Sequence, residues 1–516
     1  MKLNNPVIAG FYPDPSVCRV GEDYYLVTST FEYFPGVPIF HSRDLVNWRQ
    51  IGHCLTRPSQ LPLENMRSSG GIYAPTIRFI NSRFYMITTL VTGIEGRGSR
   101  HFYVYADDPA GEWSEPVFVS HGDLSWSIDP SLFRDDDGKV YFMCNGPGGL
   151  YQAELDLDTG EHLSDLRLLW AGTGGKYPEG SHLYKINGLY MMTVAEGGTE
   201  YGHMVTVARS TSPWGPFEPC PYNPVLTQRS TDNPIQATGH AELVQAHNGS
   251  WWLFFLGIRP NGYPSVYHLG RETFLAPVTW TDDGWPVVGE NGTVHLTMDV
   301  DNLPEAQPWP PEATHDDFDP LELALYWNFL RNPRPEAWSL TARPGWLRLR
   351  GLAATLDDVD APAFIGRRQR YFDCRVRTRL DFNPKHNGEE AGLVVLMNER
   401  HHYEIALRST EQSRQVIVRR RIGSLVGIVA QAPIFEGGPV TFQIDADRDW
   451  YHLSYEMDGQ APVRLASGET RYLATEVAGG FTGVYFGMYA TGNGRPCSTP
   501  ADFDWFDVVP NGSGSA

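Results

Sequence analysis

The sequence predicts an all-β fold, a five-bladed β-propeller followed by a β-sandwich of jelly-roll type. Three observations carry that expectation. A strand–turn–strand phrase recurs five times within about the first 260 residues, helical periodicity is nearly absent, and the pattern changes after a Pro-rich stretch at 302–315.

The five copies read PDPSVCRVGEDYYLV (from Pro13), APTIRFINSRFYMI (from Ala74), DPSLFRDDDGKVYFM (from Asp129), EGSHLYKINGLYMM (from Glu179) and HAELVQAHNGSWWLF (from His240). Each runs through a short apolar strand and a turn of Gly, Asn or Asp. A second strand then opens on two large residues: Tyr24-Tyr25, Phe84-Tyr85, Tyr141-Phe142, Leu189-Tyr190 and Trp251-Trp252. Counted back from those pairs, the leading residues are Asp14, Ala74, Asp129, Glu179 and His240, at intervals of 60, 55, 50 and 61 residues. A period of roughly 50–60 residues is that of a propeller blade, whose first strand lies beside the central axis. Asp137-Gly138, Asn187-Gly188 and Asn248-Gly249 read as hairpin turns. The DDDG at 135–138 is a hairpin rather than a calcium loop, because no twelve-residue ligand loop follows.

The repeats stop near Val288, so residues 1–301 are expected to form the propeller, 302–315 (NLPEAQPWPPEATH) the linker, 316–510 the sandwich and 511–516 a flexible tail. The second half alternates apolar and polar residues in RYFDCRVRTRLDF, EEAGLVVLMN, YEIALR and RQVIVRRRI, and continues to FTGVYFGMYATG and ADFDWFDVV. Such alternation is that of antiparallel strands with one buried face.

A length of 516 residues allows two domains, and 41% hydrophobic content supplies a large core. A net charge of −20 argues against nucleic acid or an anionic membrane as partner and favours a neutral substrate. No apolar run approaches the 18 or so residues of a membrane span. The N-terminus has no apolar signal core, so a cytoplasmic location is expected. The six scattered cysteines show no metal-like spacing and are expected to be reduced. Motifs for zinc proteases, phosphate loops, dinucleotide binding and nucleophile elbows are missing, and GIEGRGS around Gly93–Ser99 reads as a surface loop.

Equivalent residues of a propeller gather at one end of the axis, which brings Asp14, Asp129 and Glu179 together. Stability does not ask for this, since clustered like charges repel. Two carboxyl groups flanking an acetal oxygen are the minimum for glycoside hydrolysis, one protonated and one ionised. A third carboxylate near the acid raises its pKa. Blades one and four are non-adjacent in a ring of five, which favours a wide gap with room for a water, the inverting arrangement. Asp14 is therefore the expected general base, Glu179 the general acid, and Asp129, in the blade next to Glu179, the pKa modulator and substrate orienter. His240 has two readings, a residue that binds water or a cation at the axis or a hydrogen-bonded core histidine. Tyr73, beside Ala74, could wall a sugar site.

NPVIAGFYPDPSVCRVGEDYYLVTSTFEYFPGVPIFHSRDLVNW, GGIYAPTIR, DPSLFRDDDGKVYF, YPEGSHLYKINGLYMMTVAEGGTEYGH, ATGHAELV and LGRETFLAPVTW, with DDFD and FTGVYFGM in the second half, resemble glycoside hydrolase family 43, its two-domain β-xylosidase and α-L-arabinofuranosidase group. The resemblance implies an inverting five-bladed enzyme with base, modulator and acid on Asp14, Asp129 and Glu179. It puts the family's sugar-contacting arginine on Arg271, its central histidine on His240 and a pocket aromatic on Phe31. Phe481 matches a residue that reaches the pocket from the second domain, and a sandwich-core position is the other reading. The implied substrates are xylo-oligosaccharides or arabinoxylan fragments, hydrolysed from non-reducing ends or side chains. No cofactor is implied, though some members hold Ca2+ near the central histidine, and related enzymes form homo-oligomers. GGIYAPT with Tyr73 and Thr76, and Glu179-Gly180-Ser181-His182, depart from the family wording on the pocket wall and leave xylose against arabinofuranose open. A non-catalytic carbohydrate-binding propeller is the alternative of another class. A retaining fructan-type hydrolase is disfavoured, since Ile128-Asp129-Pro130 replaces the Arg-Asp-Pro of that group.

Overall fold

The computed structural model describes residues 1–93, 98–410, 414–435 and 437–511. Part of the Gly93–Ser99 loop and most of the tail expected at 511–516 lie outside these residues.

Five antiparallel four-stranded paths account for the first half, the fourth carrying one additional short strand. Their innermost strands are Ser16–Val20, Gly71–Ile80, Ile128–Arg134, Glu179–Ile186 and Gln236–Gln245. Each touches the innermost strand of the next blade, and Gln236–Gln245 returns to Ser16–Val20, so the ring is closed. Closure is reinforced at the N-terminus. Lys2–Asn4 pairs with Thr297–Asp299, and the Asn5 side chain both donates to and accepts from the backbone of Leu275. The hairpins follow from backbone freedom: Asn187 and Gly188 both take positive φ, 51° and 80°, as a two-residue type I′ turn requires. Asp135, in the DDDG turn, accepts from Lys185 Nζ and Tyr190 Oη, tying blade three to blade four.

Two eight-stranded sheets form the second half. Cys374–Asp381 alternates buried and more exposed residues along its length, and Val376, Leu380, Leu393, Ile405, Phe442 and Phe486 from the facing sheets share one core. The linker is not the only connection between the halves. Tyr33–Phe34, from the first blade, pairs with Asn328–Leu330 and becomes the last strand of a sandwich sheet. Phe11, Phe31 and Tyr33 accordingly share a cluster with Phe364, Val394, Leu396 and Tyr485.

Candidate active site

The innermost strands of blades two to five break register at the same place. The ladder steps from Tyr73–Thr89 to Thr76–Ile87, from Ile128–Asn145 to Ser131–Met143, from Glu179–Ala195 to His182–Thr193, and from Gly239–Leu256 to Glu242–Phe254. Three steps on one strand match two on the other, a bulge of one residue that re-aims the side chain it contains. The residue two before the ladder resumes is Ala74, Asp129, Gly180 or His240. In blade one the ladder starts at Ser16, so Asp14 takes that position. Asp14, Asp129, Gly180 and His240 all have positive φ, between 45° and 56°, a strained choice for non-glycine residues that clusters at functional sites.

This register corrects the sequence alignment of the fourth blade. Leu189 pairs with Ile186 across the turn, the place Arg83 takes opposite Ile80 in blade two. The true equivalent of Phe84 is therefore Tyr190, and Gly180, not Glu179, occupies the ring position. Glu179 sits one residue earlier, paired with Ala195 before the bulge. Gly180 matters in its own right. Its N–H donates to Asp129 Oδ2 at 3.1 Å, and a Cβ there would stand 2.8 Å from His240 Nδ1.

The three carboxyl groups have different surroundings. Asp14 is buried. Its Oδ2 accepts from Ser29 Oγ at 2.6 Å and its Oδ1 from Arg271 Nη1 at 3.0 Å, with His240 Nδ1 3.8 Å away. Burial alone would raise its pKa, but Arg271, His240 and the Ser29 hydroxyl together outweigh burial and hold the carboxyl below its ordinary value. Asp129 is also buried. Burial, helped by the Asp14 charge and opposed by His240 and the Gly180 N–H, pushes it up to about 6. Glu179 is half-buried. Loss of hydration first, then the charges of Asp129 and Asp14, drive its carboxyl well above the usual range, against the pull of Arg271. These surroundings favour the ionised form at Asp14 and the protonated form at Glu179, with Asp129 between the two.

Three aromatic rings line the approach. Phe31 packs 4.9 Å from Tyr73 and stacks on Phe481 at 5.9 Å, and Tyr73 meets Phe481 edge-on at 6.0 Å. Arg271 lies 5.7 Å from both phenylalanine rings. Phe481 belongs to this wall rather than to the sandwich core, and 36% of it is exposed. Ser69 fixes the arrangement: its Oγ accepts from the Phe481 N–H, its carbonyl from the Tyr73 hydroxyl, and its N–H donates to buried Glu32. The Arg271 guanidinium also donates to Thr199 Oγ1, while its Nε–H is buried without a protein acceptor.

Ser29, Thr199, Ser69 and Gly180 escaped the sequence reading as site residues. Thr199 and Gly180 fall within the family-like segments. Ser29 falls within one too, whereas Ser69 carries no local signal, because its partner Phe481 lies 412 residues away.

The calcium implied near His240 finds no matching cage. Calcium takes six to eight oxygen ligands, and among the described residues no group of three or more His, Cys, Asp or Glu is arranged to hold a metal. The carboxylates beside His240 in space and in sequence, Asp14 and Glu242, are already matched by Arg271 and Arg78.

Both halves of the chain resemble known proteins. The profile of "Glycosyl hydrolases family 43" matches residues 3–286, and that of "Beta xylosidase C-terminal Concanavalin A-like domain" matches 315–509. The chain is 47% identical over 510 residues to a non-reducing end α-L-arabinofuranosidase of Bacteroides ovatus, covering 98% of this chain and 94% of that protein. It is 38% identical over 525 residues to a xylosidase/arabinosidase of Butyrivibrio fibrisolvens, covering 98% and 99%. A solved structure named "Bacteroides ovatus Xyloglucan PUL GH43B" superimposes with a TM-score of 0.94 at 46% identity, covering 99% of this chain and 100% of that one. A closed five-bladed ring with three differently tuned carboxyl groups at its hub, capped by a concanavalin A-like sandwich, thus places the chain in glycosyl hydrolase family 43.

Proposed function

We propose that the chain is an inverting, exo-acting hydrolase of neutral hemicellulose fragments, releasing α-L-arabinofuranose, β-D-xylose or both. The carrying observation is the division of labour among the three carboxyl groups. Asp14, ionised beside Arg271, takes a proton from water as that water attacks the anomeric carbon. Glu179, protonated, gives its proton to the departing glycosidic oxygen. Asp129 keeps that proton on Glu179 by its charge and accepts the Gly180 N–H. Blades one and four are not neighbours in the ring, which suits the gap of about 6.5–9.5 Å that inversion needs for its water.

Substrate class rests on relatives and on the wall. The two relatives above are named for arabinofuranosidase and xylosidase/arabinosidase activity, and a further relative, 33% identical, is a β-xylosidase of Bacillus subtilis. The stacked rings suit a sugar face, and the free Arg271 Nε–H suits a hydroxyl. Phe481, contributed by the second domain, narrows the approach and favours removal of single terminal sugars.

The test has two parts. Glu179→Ala should abolish turnover of natural oligosaccharides and spare aryl glycosides with good leaving groups, which need no acid. Equal loss on both would remove the acid role. Proton NMR of the first product formed should show the anomer opposite to that of the substrate, and retention would overturn the mechanism. A panel of aryl β-xyloside, aryl α-arabinofuranoside, and arabinosylated xylo- and xyloglucan oligosaccharides decides the sugar.

A further inference from the structure

A second concavity lies between the two domains, away from the carboxyl groups. It encloses about 250 Å³, between the propeller hairpin at 261–266 and the sandwich residues 449–450 and 469–471. Two large aromatic residues face it. Tyr263 is 96% exposed and Trp450 41%. Lone exposed aromatics need no explanation, but two in one polar-rimmed concavity do.

The backbone segments that carry them are tied down. Asn261 and Val266 exchange backbone hydrogen bonds of 2.8 and 3.0 Å, closing the hairpin that carries Tyr263 at its tip. The Asn261 amide donates to the Arg448 carbonyl and to Asp449 Oδ1, pinning the hairpin to the sandwich. Asp447 Oδ1 accepts from the N–H groups of Asp449 and Trp450, an Asx turn that presents the indole. His452 lies parallel to the indole at 6.4 Å. The rim adds Glu469 and Arg471. Acidic and basic side chains are both present, so no single sign of charge selects an ion. Flat apolar rings edged by carboxylate, amide and guanidinium groups are the chemistry that recognises a pyranose, one face apolar and the edge all hydroxyl.

The geometry points to a secondary site for the neutral β-1,4-linked backbone of a hemicellulose, held by Tyr263 and Trp450. The assignment rests on the proposed hydrolase function for its ligand class. The groove is joined to the catalytic ring, since the hairpin leads through Tyr267 to Arg271 and the Ser265 carbonyl accepts from the Tyr201 hydroxyl. A backbone stacked in this groove would keep its side branches close to the catalytic pocket.

The test compares the wild-type chain with Tyr263→Ala/Trp450→Ala and with Tyr263→Phe in native affinity gels containing arabinoxylan, xyloglucan or no polysaccharide. The wild type and the phenylalanine variant should be retarded on at least one polysaccharide, and the double alanine variant should not. The arabinoxylan and xyloglucan lanes identify the backbone. On branched oligosaccharides the double variant should raise KM about five- to tenfold, with kcat and aryl glycoside turnover unchanged, which also shows that it folds. Retardation equal for wild type and double variant, or absent for wild type on both polysaccharides, overturns the site. Should aryl glycosides and oligosaccharides resist the wild type while the gel shift persists, the hydrolase reading falls and the binding site stands.

Discussion

Asp129 touches no leaving group in the proposed reaction, and its effect is carried by charge. Ionised, it is the largest influence after burial that keeps the proton on Glu179. Asp129→Asn removes one negative charge and keeps the carbonyl acceptor for Gly180. The carboxylate of Glu179 then forms more easily, its pKa falls, and the alkaline limb of the kcat/KM–pH profile moves to lower pH. We expect a displacement in that direction, together with a fall in kcat of about tenfold or more. On the acidic side Asp129 loses its charge first, at about 6, so the variant should lose that limb and keep only the lower one of Asp14, held down by Arg271, His240 and Ser29. A uniform loss of activity with both limbs in place would mean that Asp129 only supports the fold.

At the scale of the element, the site is made by the bulges. A regular strand would send alternate side chains toward the neighbouring blades. One extra residue on the innermost strands of blades two to five turns Asp129 and His240 instead toward the axis. Gly180 and Gly188 separate geometry from stability. Both have positive φ, 56° and 80°, so alanine costs about 1–2 kcal/mol at either. A Cβ at Gly188 meets nothing within 4 Å, whereas one at Gly180 meets the His240 ring. Gly188→Ala should lower the melting temperature and leave kcat intact, while Gly180→Ala should cost at least tenfold in kcat. Matching kcat losses in the two variants would sink the claim. The repeat itself was legible, because hairpin signals and aromatic pairs are local. The fourth-blade register was not, because Leu189 resembles the first of an anchoring pair although it closes the turn opposite Ile186. Only the ladder shows that Gly180 fills the ring position and that Glu179 precedes it.

At the scale of the molecule, the pocket wall is built from both domains, and the contacts between them lie beyond the reach of sequence patterns. Glu32 follows Phe31 of the pocket wall and is 1% exposed. It accepts the Ser69 N–H, and Ser69 in turn holds Phe481 of the second domain. The Glu32 carbonyl accepts from the backbone of Arg331, whose buried guanidinium donates to the Met66 carbonyl. Ser68 reaches Glu399 alongside. Burial pushes the Glu32 carboxyl up to about 7, despite its own backbone N–H, Arg331 and the Ser69 N–H. The folded chain therefore holds a proton that the unfolded chain has released, between the ordinary value of 4.5 and about 7. Stability must fall as pH rises through that window, because the folded state binds more protons there. Below about 4.5 the effect vanishes, and above about 7 it is complete, at about 3 kcal/mol. Glu32→Gln keeps an acceptor for Ser69 and cannot ionise. In urea unfolding at pH 4.5 to 8, the variant should become progressively more stable relative to wild type as pH rises, approaching that difference by pH 8. Parallel stability curves would show that Glu32 does not titrate in the domain junction. The same latch would then have to stand on Arg331 and Ser69 alone, and the Phe481 wall would be insensitive to pH.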